Sequence, residues 1–239
     1  MLRLTTFGGV RLARGREALT GAATQRRRLA ILALLAVAGE RGVSRDKLVG
    51  LLWPESEEER ARHVLNQLLY AQRQFFEEER LFLGKKTLRL NPAVIWTDVA
   101  AFEAALAKGE LVEAASYYQG PFLDGFFLND APGFEEWADA QRDRFKRRLR
   151  EAWSGRAATV EQQGEPGQAA DCWRHVAELD PLDSVVARKL VEALAAGGDR
   201  GGAMRQARRH AGLLKAELGL EPDLEFRRLL RRIEQDDVR

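Results

Sequence analysis

Apolar and polar residues alternate from Leu2 to Phe7, and Gly8-Gly9 then breaks the pattern before Val10-Arg11-Leu12. Alternation around a glycine pair predicts a short β-hairpin, because successive side chains of a strand point to opposite faces. The period changes at Gln25. Leu29, Leu32, Ala33, Ala36 and Val37 recur at spacings of three and four, which predicts a helix over 25–38. Gly39 ends it and Gly42 helps to turn the chain. Ser44 can cap a second helix by accepting from a free backbone N–H, and Leu48, Val49, Leu51 and Leu52 form its apolar side. Pro54 cannot continue it. Glu57, Glu58 and Glu59 suit the positive end of a third helix, expected to run to Phe76. Leu81–Leu83 and Thr87–Leu90 then read as two strands around the turn Gly84-Lys85-Lys86, and Asn91-Pro92 ends the second. The order is strand, strand, three helices, strand, strand.

From Thr97 the signal is helical throughout. Asp98 is expected to cap a helix through Phe102 and Leu106, and Gly109-Glu110 begins another with Leu111, Ala114, Ala115 and Tyr118. A loop rich in Gly, Pro and Phe covers 120–133, and a long helix is expected over about 134–163. Gly164-Glu165 and Gly198-Asp199 then open two similar segments 34 residues apart, the period of tetratricopeptide repeats. Their alanines allow close approach of paired helices. The chain is therefore expected to be mainly α: an N-terminal winged helix-turn-helix with small β-hairpins at 1–96, then an all-α tetratricopeptide-like domain at 97–239.

The third helix separates into two faces. At 100° per residue, Val64, Leu65, Leu68, Leu69, Phe75 and Phe76 fall within about 80° of Ala61 and make the core face. Opposite lie His63, Asn66, Tyr70 and Gln74, flanked by Arg62, Gln67 and Arg73, with no carboxylate after Glu59. A plain solvated face usually mixes Glu and Lys, whereas Asn, Gln and Arg suit base edges and phosphates in a major groove. Gln72 falls on the core face, so either it is exposed at a domain edge or a backbone group satisfies its amide. Lys85 and Lys86 sit at the tip of a two-stranded wing, where lysines act as point charges towards phosphate.

Charge supports this division. Hydrophobic residues make up 45% of the 239, enough for a folded core, and net charge is +2. Residues 1–98 carry 17 Lys/Arg against 11 Asp/Glu, while 99–239 carry 21 against 25. A basic first half suits contact with nucleic acid. The apolar run Leu29–Ala38 is about half a membrane span, and Met1–Val10 reads as structure rather than a leader, so no membrane association is expected. The one cysteine, Cys172, reads as a small buried residue and fits a reducing cytoplasm. His63, His175 and His210 form no metal-spaced set and no nucleophile motif is present, so neither catalysis nor a cofactor is expected. His175 and His210 read as surface or packing residues. Trp53 and Trp96 read as core plugs of the first domain, and Trp137, Trp153 and Trp173 as fillers between repeats.

The stretches Gln25–Leu35, Val43–Trp53, Ala61–Phe75, Thr97–Leu106, Tyr118–Phe122 and Ala216–Asp223, in that order, resemble bacterial activators of the antibiotic-regulatory-protein (SARP) type. These pair a response-regulator-type winged helix with a bacterial transcriptional activation domain (BTAD) of tetratricopeptide-like repeats. The resemblance implies a positioning helix at Arg45–Leu52, a recognition helix at Arg60–Phe75 and activation of transcription. Tyr70-Ala71-Gln72-Arg73 stands where the family often has Ser-Arg-Leu-Arg, which changes the base contacts more than the fold. Arg45, Arg60, Arg62, His63, Asn66, Gln67, Tyr70, Arg73, Lys85 and Lys86 are thus the expected contacts to double-stranded DNA. RNA polymerase or another regulator is expected on the helical half, with homo-oligomer formation. The competing expectation is a protein-binding adaptor that does not touch DNA.

Overall fold

The structure is a computed structural model that describes residues 1–235, with side chains for all of these except 22, 23 and 234. Its elements in chain order begin with β1 (Leu2–Thr5), β2 (Arg11–Arg14), β3 (Glu17–Ala18) and α1 (Arg26–Ala38). Next come β4 (Val43–Ser44), α2 (Arg45–Leu52), α3 (Glu58–Phe76), β5 (Phe82–Leu83), β6 (Thr87–Leu90) and β7 (Ile95–Thr97). Seven helices complete the described chain: α4 (Asp98–Lys108), α5 (Leu111–Tyr117), α6 (Pro132–Gln162), α7 (Pro166–Leu179), α8 (Ser184–Ala196), α9 (Arg200–Leu218) and α10 (Leu224–Gln235). The fold is the mainly α one expected, with a winged helix-turn-helix ahead of a helical domain. Its compact units divide inside α6, between Lys146 and Arg147, whereas the change of sequence character falls at 97.

In the first unit, β1 pairs antiparallel with β2, setting Leu4 opposite Leu12. Its other edge pairs in parallel with β7, setting Leu2 opposite Ile95. The alternation in 2–5 had marked the strand; its long-range partner β7 carried no comparable signal. The second sheet has the order β4-β6-β5, so the wing hairpin is extended by the short strand just before α2. Gly42 sits at φ 65°, and a Cβ there would come within 2.5 Å of the Leu88 carbonyl oxygen, which explains its place in the turn into β4. Residues Leu29–Ala36 of α1 are all buried, making it the central helix of this unit.

Two sequence expectations change here. Thr97, not Asp98, caps α4: its hydroxyl oxygen accepts from the Ala100 N–H. Asp98 is instead buried, and its carboxylate accepts from the backbone N–H groups of Thr6, Phe7 and Val99 and from the Thr6 hydroxyl. A tertiary partner 92 positions away took the side chain that local capping would have used. Phe75, expected in the core, is 42% exposed, with its ring 5.2 Å from that of the buried Phe76.

Beside Asp98, Phe7 lies 5.1–5.2 Å from the rings of Phe102, Tyr118 and Phe145, and Phe122 touches the same group. The Leu123 N–H donates to the Thr6 carbonyl. The first strand is therefore closed over by residues drawn from α4, α6 and the 118–123 segment.

The second unit, from Arg147, stacks α7 on α8 and α8 on α9. α7 and α9 begin 34 residues apart, at Pro166 and Arg200, as the repeat requires. Ala187, Val191, Ala203 and Ala207 pack with Phe226, Leu229 and Ile233 of α10, so small residues on α8 and α9 make room for one aromatic ring. His210 is buried, bonded through one ring nitrogen to the Ser184 hydroxyl and through the other to the Pro181 carbonyl; it packs, as expected. Trp153 and His175 stack at 4.2 Å, Trp173 donates to Glu161, and Cys172 is buried. Trp96, expected as a core plug, is only half-buried, with the Arg3 guanidinium 4.2 Å above its ring.

Asp98→Ala is expected to destabilise the fold by about 2–4 kcal/mol at neutral pH, because it strands buried N–H donors; urea unfolding measures this. Burial pushes the Asp98 carboxyl up from its ordinary value, against the pull of the Phe7 and Thr6 donors. A raised folded pKa means that the folded state binds the proton more tightly. This group's contribution should therefore increase as pH falls from the raised value through the ordinary carboxyl range, and decline as pH rises. A parent whose urea midpoint, measured against Asp98→Asn, moves the opposite way between neutral and acid pH would contradict the sign.

Candidate nucleic-acid interface

Three elements of the first unit meet at one cleft, lined by Ser44, Arg45, Asp46, Arg62, Asn66 and Lys86, with Leu65 and Thr87 behind them. α2 starts there because the Ser44 hydroxyl accepts from the Lys47 N–H at 3.2 Å. α3 runs alongside, burying Ala61, Leu65, Leu69, Gln72 and Phe76 on one side. The wing turn arrives because β6 pairs with β4, which directly precedes α2.

Arg45 connects the three. Its Nε donates to the Lys85 carbonyl at 2.7 Å, and its guanidinium donates to the Asn66 side-chain oxygen at 2.5 Å. Its own backbone N–H donates to the Lys86 carbonyl. Partial burial, and then the Arg73 charge, hold the Arg45 guanidinium below its ordinary pKa. Both causes penalise the cation, so an anion in the cleft would offset them. The Lys85 and Lys86 side chains stay exposed while their carbonyls are tied inward.

The expected contact residues do not all sit alike. Arg60, His63, Asn66, Gln67 and Tyr70 are exposed, Tyr70 at 64%, and the Gln67 amide lies 2.8 Å from the His63 ring nitrogen. Arg62 is also exposed, but it is clamped between Asp46 at 2.9 Å and Glu58 at 2.5 Å. Asp46 and Glu58 were missed as part of this surface; Glu58, one turn before Arg62, could have signalled that pair. Arg73 is half-buried with its guanidinium carbon 5.8 Å above the Phe82 ring, so it leans towards β5. Gln72 is fully buried, and its amide nitrogen donates to the Arg28 carbonyl at 3.0 Å; of the two expectations for this residue, backbone satisfaction is the one observed, for the nitrogen alone. Gln74 is exposed on the same side as Tyr70.

The arginines of α1 serve structure. Arg27 pairs with Asp130 and donates to the Leu52 carbonyl, and Arg26 donates to the Phe127 carbonyl. Among the described residues, no group of three or more His, Cys, Asp or Glu side chains could hold a metal ion, and no helix is long and apolar enough to cross a membrane.

A helix-turn-helix with an exposed polar face, tied to a lysine-tipped hairpin and followed by stacked helix pairs, defines a winged-helix regulator architecture. Residues 97–234 match the bacterial transcriptional activator domain, and the chain belongs to that family. Its fold is similar to that of Mycobacterium tuberculosis EmbR, solved in complex with a low-affinity phosphopeptide, at a TM-score of 0.60 and 19% identity. That likeness covers 98% of this chain and 65% of the EmbR chain, so this chain spans just under two thirds of its relative. No curated protein matches it in sequence.

Gly84 holds the wing turn. It sits at φ 89°, and a Cβ there would lie 2.0 Å from the Thr87 carbonyl oxygen. Gly84→Ala is expected to cost about 1–3 kcal/mol, because both the backbone conformation and the space oppose it. Leu65→Ala, a core truncation beneath the cleft, is expected to cost about 2–5 kcal/mol. Chemical denaturation of the two variants checks both values.

Proposed function

We propose that this chain is a sequence-specific DNA-binding transcription activator of the cytoplasm, reading double-stranded DNA through α3 and the wing. What carries the reading is the Arg45 bridge, which sets the exposed face of α3 beside the Lys85-Lys86 turn as one polar and basic surface. α3 enters the major groove with Asn66, Gln67, Tyr70 and His63 towards base edges, while Lys85 and Lys86 neutralise phosphates. Arg45, Arg60, Arg62 and Arg73 complete the set. Arg62 serves as an orienting residue until DNA displaces Asp46 or Glu58, and Arg73 acts through the position of β5. All the reading elements lie in residues 1–96, the winged-helix domain, and residues 97–239 form the partner-binding helical domain. Family membership supports activation, and a single winged helix covers few base pairs, which favours a homo-oligomer on repeated half-sites.

Asn66→Ala is expected to lose about 1–3 kcal/mol of discrimination at one base pair and, by removing an acceptor of Arg45, to loosen the tie between α3 and the wing. Its melting temperature should hardly change, because the residue and its bond are at the surface. Lys85→Ala and Lys86→Ala should weaken binding to every sequence alike and flatten its salt dependence. Binding of each variant to matched and mismatched duplexes separates these outcomes. Folded Asn66 and Lys85 variants that bind all duplexes like the parent would transfer the surface to a protein partner.

The helical domain has no chemistry of its own beyond stacked helix pairs, and contact with RNA polymerase or a second regulator is the role proposed for it. Residues 1–146 keep the whole first compact unit, including Asp98 and the Phe7 cluster. That fragment is expected to bind duplex DNA but fail to stimulate transcription in vitro from a promoter that the full chain activates. Full stimulation by the fragment would remove the role assigned to the second unit.

A further inference from the structure

An apolar hollow of the first unit lies away from the cleft around Arg45. It has a volume of about 650 Å³ and is walled by Leu35 at the end of α1, Leu83 of β5, Leu90 of β6, and Ile95 and Trp96 of β7. Ala100 and Ala101 of α4 close one side with small side chains, which leaves the space open. The volume falls within the roughly 300–1,000 Å³ usual for small-molecule sites, and a mostly apolar lining with few polar groups is their usual composition.

Two features say what would fill it. Trp96 is half-buried and held in place, with the Arg3 guanidinium 4.2 Å over its ring and the Tyr117 ring 6.0 Å away. A fixed indole in the wall is a preordered surface for another flat ring and gives up little side-chain freedom on contact. At the rim stand Arg89 and Glu40, both exposed, and neither forms an ion pair among the described residues. A cation and an anion at one mouth complement a ligand that carries an acidic group and an N–H or O–H donor on an apolar frame.

We infer that this hollow is a binding site for an aromatic small molecule bearing an anionic group and a hydrogen-bond donor, with its rings against Trp96 and its anion at Arg89. The site lies within one compact unit and does not depend on how α3 is used, so it stands or falls separately from the DNA reading.

The probe is anilinonaphthalene sulfonate, whose fused rings, sulfonate and bridging N–H match the three demands. Added to the folded full-length chain, it is expected to bind with one-to-one stoichiometry and to accept excitation energy from tryptophan. Trp96→Phe should reduce that transfer. Ala101→Phe, which fills the space, and Arg89→Gln, which removes the rim cation, should each weaken binding about tenfold or more, a change of about 1.4 kcal/mol. Near-ultraviolet circular dichroism identifies which variants keep the parental fold; Arg89 is exposed, so its variant decides the matter if Ala101→Phe does not fold. Absence of binding to the folded parent overturns the inference. So does parental affinity in a folded Arg89 or Ala101 variant, or loss of binding only on substitution of the exposed α10 arginines Arg228 and Arg231. The hollow would then be left to a polypeptide partner.

Discussion

At the first residue of α4 a buried carboxylate holds the end of β1. Asp98 accepts from the N–H groups of Thr6 and Phe7, just beyond the last residue of a strand whose edge is already paired in parallel with β7. Four hydrogen bonds offset part of the cost of burying this carboxyl, and a buried group with so many partners is hard to move. It fixes where the chain leaves β1, and so where Phe7 enters its aromatic cluster.

That constraint explains why the first compact unit outlasts the winged-helix sequence. A fragment ending at residue 96 would lose Asp98 and the rings of Phe102, Tyr118, Phe122 and Phe145 that surround Phe7. Domain boundaries in sequence mark changes of pattern, whereas compactness counts who touches whom. The 120–133 segment, rich in Gly, Pro and Phe, belongs to this closure: Phe122 and Leu123 are fully buried. Its composition suggested a loop, and its aromatic content was the trace of its docking.

The polar surface shows the same dependence on partners. Helical geometry puts Arg62, Arg73 and Asn66 on the outward half of α3, but geometry does not say what each one meets. Arg62 meets Asp46 and Glu58, Arg73 leans on Phe82, and Asn66 is held by Arg45. Arg45 was singled out from the positioning helix, and it proves to be the residue joining α2, α3 and the wing. Surface ion pairs of this sort are weak, so what they contribute is orientation of the interface more than stability.

Periodic and local signals were sufficient for much of the architecture. The Ser44 cap, the glycines at 39, 42 and 84, the two faces of α3 and the 34-residue spacing of α7 and α9 rest on interactions within a few residues or on a repeated period. Sequence therefore determined the element order, the winged-helix and repeat character, and the polar face that is a candidate for DNA. The β1–β7 pairing, the burial of Asp98, the exposure of Phe75, the satisfaction of the Gln72 amide nitrogen by Arg28 and the hollow beside Trp96 were decided only in three dimensions. The pairing, the Asp98 burial and the Gln72 bond depend on residues 44 or more positions apart, and the hollow on space left between elements. The energies that select such partners are set by what else is already packed around them, which no short window of sequence contains.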